Sequence, residues 1–214
     1  MTLRPASDRS LLVSFGDEIS PEAHRHVVRL TGGLAGAPGI LNLHPAFASL
    51  LVDFDPLLCR HADVATLVRQ RLAGPPEIAA TQPRSVTIPV HFGGDAGPDL
   101  DAVSRHTGLA PERVIERFCA ARFEVAFVGF ATCFPYLAGL PPELATPRLP
   151  APRKLVPAGS VAIAGPQAGV YPLASPGGWR IVGRTAMPLF RRHGEPPSLL
   201  QMSDRVVFVP ERPR

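Results

Sequence analysis

Over roughly the first eighty residues the apolar positions switch between a two-residue and a 3.6-residue period, and each switch marks a new element. Ser10-Leu-Leu-Val-Ser-Phe15 predicts a strand closed by Gly16-Asp17. Ser20, Pro21 and Glu22 then supply an N-cap, a proline at the first helical position and an acid in the first turn. Ala23, Val27, Leu30 and Leu34 follow at helical spacing, with Gly32-Gly33 and Gly36 ending the helix. Ile40 to Leu43 and Ser49 to Phe54 predict two further strands, the second stopped by Asp55-Pro56. Ala62 to Leu72 predicts a second helix with Val64, Leu67, Val68 and Leu72 on one face. After the connection from Gly74-Pro75-Pro76 to Pro83, Ser85 to Val90 predicts a last strand. The order βαββαβ is the split βαβ, or ferredoxin-like, motif.

Beyond residue 90 the texture changes. Asp95 to Gly108 and Ala110 to Ala120 carry two short helical patterns, the second with Val114, Ile115 and Phe118 on its apolar side. From Phe123 onward, apolar runs at Val125–Val128, Ser160–Ala164, Trp179–Val182 and Arg205–Val209 alternate with Gly/Pro clusters. Short strands with dense turn signals predict an antiparallel barrel or sandwich. The chain therefore reads as α+β with two domains, 1–84 and 85–214, because Pro75, Pro76 and Pro83 interrupt regular structure between them.

Composition supports this division. The chain has 214 residues, of which 45% are hydrophobic and 19% charged, which excludes a disordered chain. Nineteen Gly and 26 Pro without a collagen-like period favour short strands and turns over long helices. The net charge of +4 is unevenly spread. Residues 1–83 carry 7 basic against 8 acidic side chains, whereas 84–214 carry 15 against 10, which leaves room for an anionic ligand in the second part. Without a basic run or an RNA-recognition signature, nucleic acid is not an expected partner. Cys59, Cys119 and Cys133 are too far apart for a disulfide framework or a zinc motif, and the scattered histidines offer no metal site. The Met1 to Asp8 segment has no apolar stretch of a secretory signal, and no window suits a membrane span, so a soluble cytoplasmic protein is expected.

The familiar mechanism motifs are missing: there is no P-loop, GxSxG, HExxH or GxGxxG before a helix. Gly93-Gly94-Asp95-Ala96-Gly97-Pro98-Asp99 opens a helix but lacks the Lys and Ser/Thr of a phosphate loop, so a tight turn is expected there. Gly129-Phe130 through Val161 is dense in Pro and Gly and is expected to be a long ordered loop region carrying function. There and farther on, rigid turns flank single hydrogen-bonding or aromatic side chains. Tyr136, Arg148, Arg153, Gln167, Tyr171, Ser175 and Arg184 are expected to converge on one concave face, where arginine suits a carboxylate through its two parallel donors. No catalytic residue or metal ligand is assigned.

These stretches resemble a known family: the 5-oxoprolinase B subunits, also described as allophanate hydrolase subunit 1 or the KipI family, with carboxyltransferase domain subdomains C and D. The resemblance runs from about Ser10 to Val209 and is carried by Ile88-Pro89-Val90, Gly97-Pro98-Asp99-Leu100, Phe134-Pro135-Tyr136-Leu137, Gly139-Leu140-Pro141, Pro147-Arg148, Val156-Pro157-Ala158-Gly159-Ser160-Val161, Tyr171-Pro172, Ser175-Pro176-Gly177-Gly178-Trp179 and Gly183-Arg184-Thr185. It implies a ferredoxin-like N-terminal domain and a cyclophilin-like C-terminal β-barrel. It further implies a bacterial, non-autonomous hydrolase component that works with 5-oxoprolinase A and C subunits to couple ATP hydrolysis to opening 5-oxo-L-proline into L-glutamate. ATP would belong to the complex, not to this chain alone. Two other roles stay open: a KipI-like protein inhibitor of a sensor kinase, and a carboxyltransferase or allophanate hydrolase-related half-domain. Against self-contained biotin chemistry, the single lysine, Lys154, sits in Pro-Arg-Lys-Leu and not in a Met-Lys-Met context. Thr132 and Cys133 replace a Pro and a Gly of the family pattern, Phe118 stands where a His is common, and Ser203 replaces the Gly before Asp204.

Overall fold

The computed structural model describes residues 1–75 and 83–211. The chain divides into two compact units, Met1–Gln82 and Pro83–Arg214.

In the first unit, β1 (Thr2–Ser7), β2 (Ser10–Ser14), α1 (Pro21–Leu34), β3 (Ile40–Pro45), β4 (Ser49–Phe54) and α2 (His61–Ala73) follow in order. Helix α1 begins where the residue types demand: Pro21 occupies the first turn, and Ser20 Oγ accepts the Ala23 N–H at 3.1 Å. The sheet order is β1-β2-β4-β3 with every pairing antiparallel, so β4 lies between the co-directional β2 and β3 that α1 connects. Alternation turns Leu11, Val13, Leu50, Val52 and Phe54 to the inner face, where they pack with Leu30, Leu34, Val64 and Val68 of the helices.

One predicted element falls elsewhere. The Ser85–Val90 run does not close this sheet as the last strand of a βαββαβ order; it belongs to the second unit, as β5 (Ser85–Phe92). Its Ile88 and Val90 are fully buried in the barrel core. The free edge of β2 is instead taken by β1, whose Leu3 and Arg4 face Val13 and Leu12 across a short hairpin. Closing so short a loop costs less entropy than recruiting a distant strand. Because β1 is almost wholly exposed and contains Pro5, it shows no alternation, and proline is tolerated there because the strand is an edge.

The second unit is built on a closed barrel of order β10-β7-β6-β13-β5-β12-β9. Its strands are β5, β6 (Phe123–Gly129), β7 (Phe134–Ala138), β9 (Ser160–Ala164), β10 (Gln167–Val170), β12 (Arg180–Arg184) and β13 (Arg205–Pro210). Strands β8 (Arg153–Val156) and β11 (Ser175–Gly177) form a separate two-stranded arm. The barrel departs from the expected purely antiparallel form, because β5 and β13 pair in parallel from Ser85↔Arg205 to Val90↔Pro210. These are the first and last strands of the unit, and no hairpin constrains their direction. The region expected as one long loop contains β7: Phe134 and Leu137 enter buried clusters although Pro135 and Gly139 read as turn residues.

Helices α3 (Leu100–Thr107) and α4 (Pro111–Ala120) contribute Leu100, Val103, Val114 and Phe118 to the barrel core. Phe118 is buried among Phe92, Phe123 and Phe208, with ring centroids 6.0, 4.9 and 5.0 Å away. At this position, where the resemblance implies His, the chain thus places an apolar core ring. Cys133 and Ser203, at positions where the resemblance implies glycine, have left-handed backbones with φ of 63° and 71°. That is a conformation glycine adopts at no steric cost and a side chain does not.

Candidate functional site

Outside the barrel core, the second unit has an aromatic cluster whose rings leave a cavity of about 300 Å³ among them. Phe134 at the start of β7 is its hub. Tyr136, Tyr171 and Trp179 meet it at centroid distances of 5.1, 5.1 and 5.3 Å with tilted or edge-on planes, and exposed Phe130 does so at 5.7 Å. Such edge-to-face pairs contribute about 0.5–1.5 kcal/mol each beyond their area burial. Tyr136 also stacks on Phe127 at 4.4 Å and 19°. Two glycines make the crowding feasible: a Cβ on Gly169 would lie 2.8 Å from Phe134 Cζ, and one on Gly177 would lie 2.3 Å from the Tyr171 hydroxyl.

Arg148 stands at this cavity with its Cζ 5.7 Å from the Trp179 ring centroid. Its side chain is exposed, and no described carboxylate pairs with it. Burial pushes the phenol pKa values of Tyr136 and Tyr171 up, against a smaller lowering by the Arg148 charge. For Tyr171 a backbone hydrogen bond from Trp179 also lowers the value. Both phenols therefore stay protonated near neutrality and can donate as well as accept. A cation over an indole face, two neutral hydroxyls and flat aromatic walls suit a planar anionic molecule. Among the described residues the lining offers no carboxylate, imidazole, thiol or amine, hence no ordinary general base.

Of the seven side chains expected on one face, Tyr136, Arg148 and Tyr171 line this cavity. The others lie outside the lining. Arg153, on β8, is held by Asp99 at 2.9 Å. Gln167 opens β10 opposite Ala164, at the end of the β9–β10 hairpin. Ser175, on β11, has a buried Oγ without a hydrogen-bond partner among the described residues, while the adjacent Pro176, Gly177 and Gly178 do reach the cavity. Arg184 is exposed at the end of β12 and donates Nε to the Ala158 carbonyl at 3.1 Å, bracing a turn.

Phe130, Phe134 and Trp179 also line the cavity although they are not among the seven residues expected there. The pairs Gly129-Phe130 and Gly178-Trp179 are the signal that could have found them. The Gly93–Asp99 segment is a turn packed on β12: Gly97 sits so close that a Cβ would meet the Val182 carbonyl oxygen at 2.1 Å. A wider recess of about 490 Å³ lies in the first unit, but its Ser20 is committed to capping α1 and its His26 stacks on Phe15. Among the described residues no group of three or more His, Cys, Asp or Glu is placed to hold a metal ion, and no helix is long and apolar enough to cross a membrane.

Comparison with known proteins places these features in context. The profile of the family described as carboxyltransferase domain, subdomain C and D, matches residues 1–200. The 5-oxoprolinase B subunit of Bacillus subtilis (strain 168) is 38% identical over 214 residues, which cover 94% of this chain and 89% of that protein. The crystal structure of TTHA0988 superposes with a TM-score of 0.84 at 36% identity, over 96% of this chain; the chain spans only 40% of that longer one. The Kluyveromyces lactis urea carboxylase, at 21% identity and a TM-score of 0.73, shares the fold over 98% of this chain and 22% of its own.

Proposed function

Because this chain belongs to the carboxyltransferase domain, subdomain C and D, family, we propose that it is the B-type component of an ATP-dependent 5-oxoprolinase. The observation that carries this reading is the similarity to the Bacillus subtilis 5-oxoprolinase chain along nearly the full length of both proteins. Proteins like the A and C subunits of 5-oxoprolinase are its partners, in the cytoplasm. The longer TTHA0988 chain, which carries the same fold joined to further sequence, is consistent with a unit that works beside another. The first unit is read as a ferredoxin-like domain whose fourth sheet position is filled from the N-terminal side by β1, and the second as a cyclophilin-like barrel, with the boundary at 84/85.

Within the complex, the reaction adds water to the lactam carbonyl of 5-oxo-L-proline. The C–N bond breaks, the hydroxyl ends on the new carboxyl group and the nitrogen takes up a proton, while a second water is consumed as ATP is cleaved to ADP and phosphate. The aromatic cavity is the place on this chain for the substrate. Arg148 takes its carboxylate through paired N–H donors, Trp179 and Tyr136 flank the ring, and the Tyr136 and Tyr171 hydroxyls reach the lactam. This chain binds and orients; that the described lining carries no ordinary general base supports leaving water activation and ATP to the partner chains. Co-purification with the A and C subunits, followed by glutamate release from 5-oxo-L-proline, tests the reading. Release should need all three chains and ATP. Turnover by this chain alone, or none by the assembled trio, would overturn it.

A further inference from the structure

We propose that Asp99 is the positioning residue of the aromatic cavity, one buried carboxylate that ties the strand directly following Trp179 to the arm that holds Gly177 and directly follows Pro152. The inference rests on reading that cavity as the ligand site. Asp99 directly precedes α3, where an aspartate ordinarily caps its helix, yet its side chain makes no cap hydrogen bond. Both oxygens are turned elsewhere. Oδ2 accepts the Ile181 backbone N–H at 2.8 Å, and Oδ1 accepts from Arg153 Nη2 at 2.9 Å. The Asp99 N–H returns a bond of 2.9 Å to the Ile181 carbonyl.

Each partner leads to a wall of the cavity. Ile181 lies on β12 two residues after Trp179. Arg153 directly follows Pro152 and pairs with Gly177 across the β8–β11 arm. Trp179, Pro152 and Gly177 all line the cavity. The clamp is anchored from behind, because Gly97 lets the preceding turn lie against β12 and the Gly93 N–H bonds the Val182 carbonyl at 3.1 Å. Arg153 depends on this contact, since its Nη1 is buried without a partner among the described residues. A buried carboxylate is costly to desolvate and is a poor way to gain stability alone, but paired on two sides it fixes one geometry. The spacing between the indole wall and the arm, and so the fit of a flat ring, is set by Asp99.

Trp179 is the only tryptophan, so emission excited at 295 nm in the full chain reports the cavity alone. Asp99→Asn keeps the shape and the Ile181 bond but removes the charge facing Arg153; Arg153→Met removes the other half of the pair. With far-UV circular dichroism unchanged, either variant should raise iodide quenching of Trp179 about threefold, and the double variant should add nothing, because the two residues act as one unit. In the complex with the A and C subunits, each should raise KM for 5-oxo-L-proline about tenfold and leave kcat within about twofold. Unchanged quenching in folded Asp99→Asn, or effects that add in the double variant, would overturn the assignment. Should Asp99→Asn not fold, Arg153→Met alone decides by the same quenching measurement. A wild-type complex that releases no glutamate would instead sink the functional reading and leave the Trp179 comparison standing.

Discussion

The two units use hydrophobic side chains in opposite ways. In the first, Leu11, Val13, Leu30, Leu34, Leu50, Val52, Val64 and Val68 interlock around Phe54, in a buried cluster that is otherwise aliphatic. Flexible aliphatic side chains fill space between helices and sheet, and every one is spent on the fold. The second unit has such a core in its barrel, and in addition a cluster around Phe134, Tyr171 and Trp179 that does not close. Rigid rings set edge to face leave gaps that aliphatic chains would fill, while Gly169 and Gly177 let the rings of Phe134 and Tyr171 approach the backbone where a methyl group would collide. Arg148, without a carboxylate partner among the described residues, gives that gap the recognition role proposed above.

Substitutions can break this contrast. The largest effect is expected for Trp179→Ala, which should cost about 3–5 kcal/mol in urea unfolding of the full chain, with Trp179→Phe recovering most of it. Glycine to alanine should act with opposite sign in the two units. Gly169→Ala drives a Cβ into Phe134 and Trp179 and should destabilise by about 1–3 kcal/mol. Gly32→Ala, inside α1 with open space around it, should stabilise by about 0.5–1 kcal/mol. Thermal melts of the two variants side by side check the signs. Cys133→Gly should relieve a left-handed backbone and stabilise by about 1 kcal/mol.

The smallest effect concerns pH. Burial pushes the Cys119 thiol from its ordinary 9.0 to about 11, so the folded protein holds a proton that the unfolded chain releases first. The stability tied to this thiol is present below pH 9 and is lost as pH rises through about 11. Urea unfolding between those limits should show wild type losing more stability than Cys119→Ala.

Periodicity and capping made much of the fold legible. The Ser20-Pro21 start of α1 is where the residue types placed it, as are the apolar strands at Ser49–Phe54, Ser160–Ala164 and Arg205–Val209. What stayed hidden depends on partners distant in sequence. β1 has no apolar face to announce it, and β7 looks like a turn until Phe134 and Leu137 are seen to be buried. Ser85–Val90 alternates equally well for either sheet; only its pairing with β13 decides. At the site, Tyr136, Arg148 and Tyr171 could be picked out because Pro and Gly flank them, but whether an arginine faces a ligand or an internal acceptor is a matter of which carboxylate or carbonyl comes near. Among the described residues Arg153 found Asp99, Arg184 found the Ala158 carbonyl, and Arg148 found the face of Trp179 and no carboxylate.

That difference among three arginines is the most direct way to test the account. In the complex of this chain with the A and C subunits, Arg148→Ala should leave assembly and thermal stability unchanged and lower kcat/KM for 5-oxo-L-proline by at least about a hundredfold, the loss of a bidentate charged pair. Arg184→Ala should stay within about threefold of wild type, since a surface brace to one carbonyl contributes little. Wild-type kcat/KM in Arg148→Ala, with the complex intact, would contradict the assignment of the aromatic cavity to the substrate.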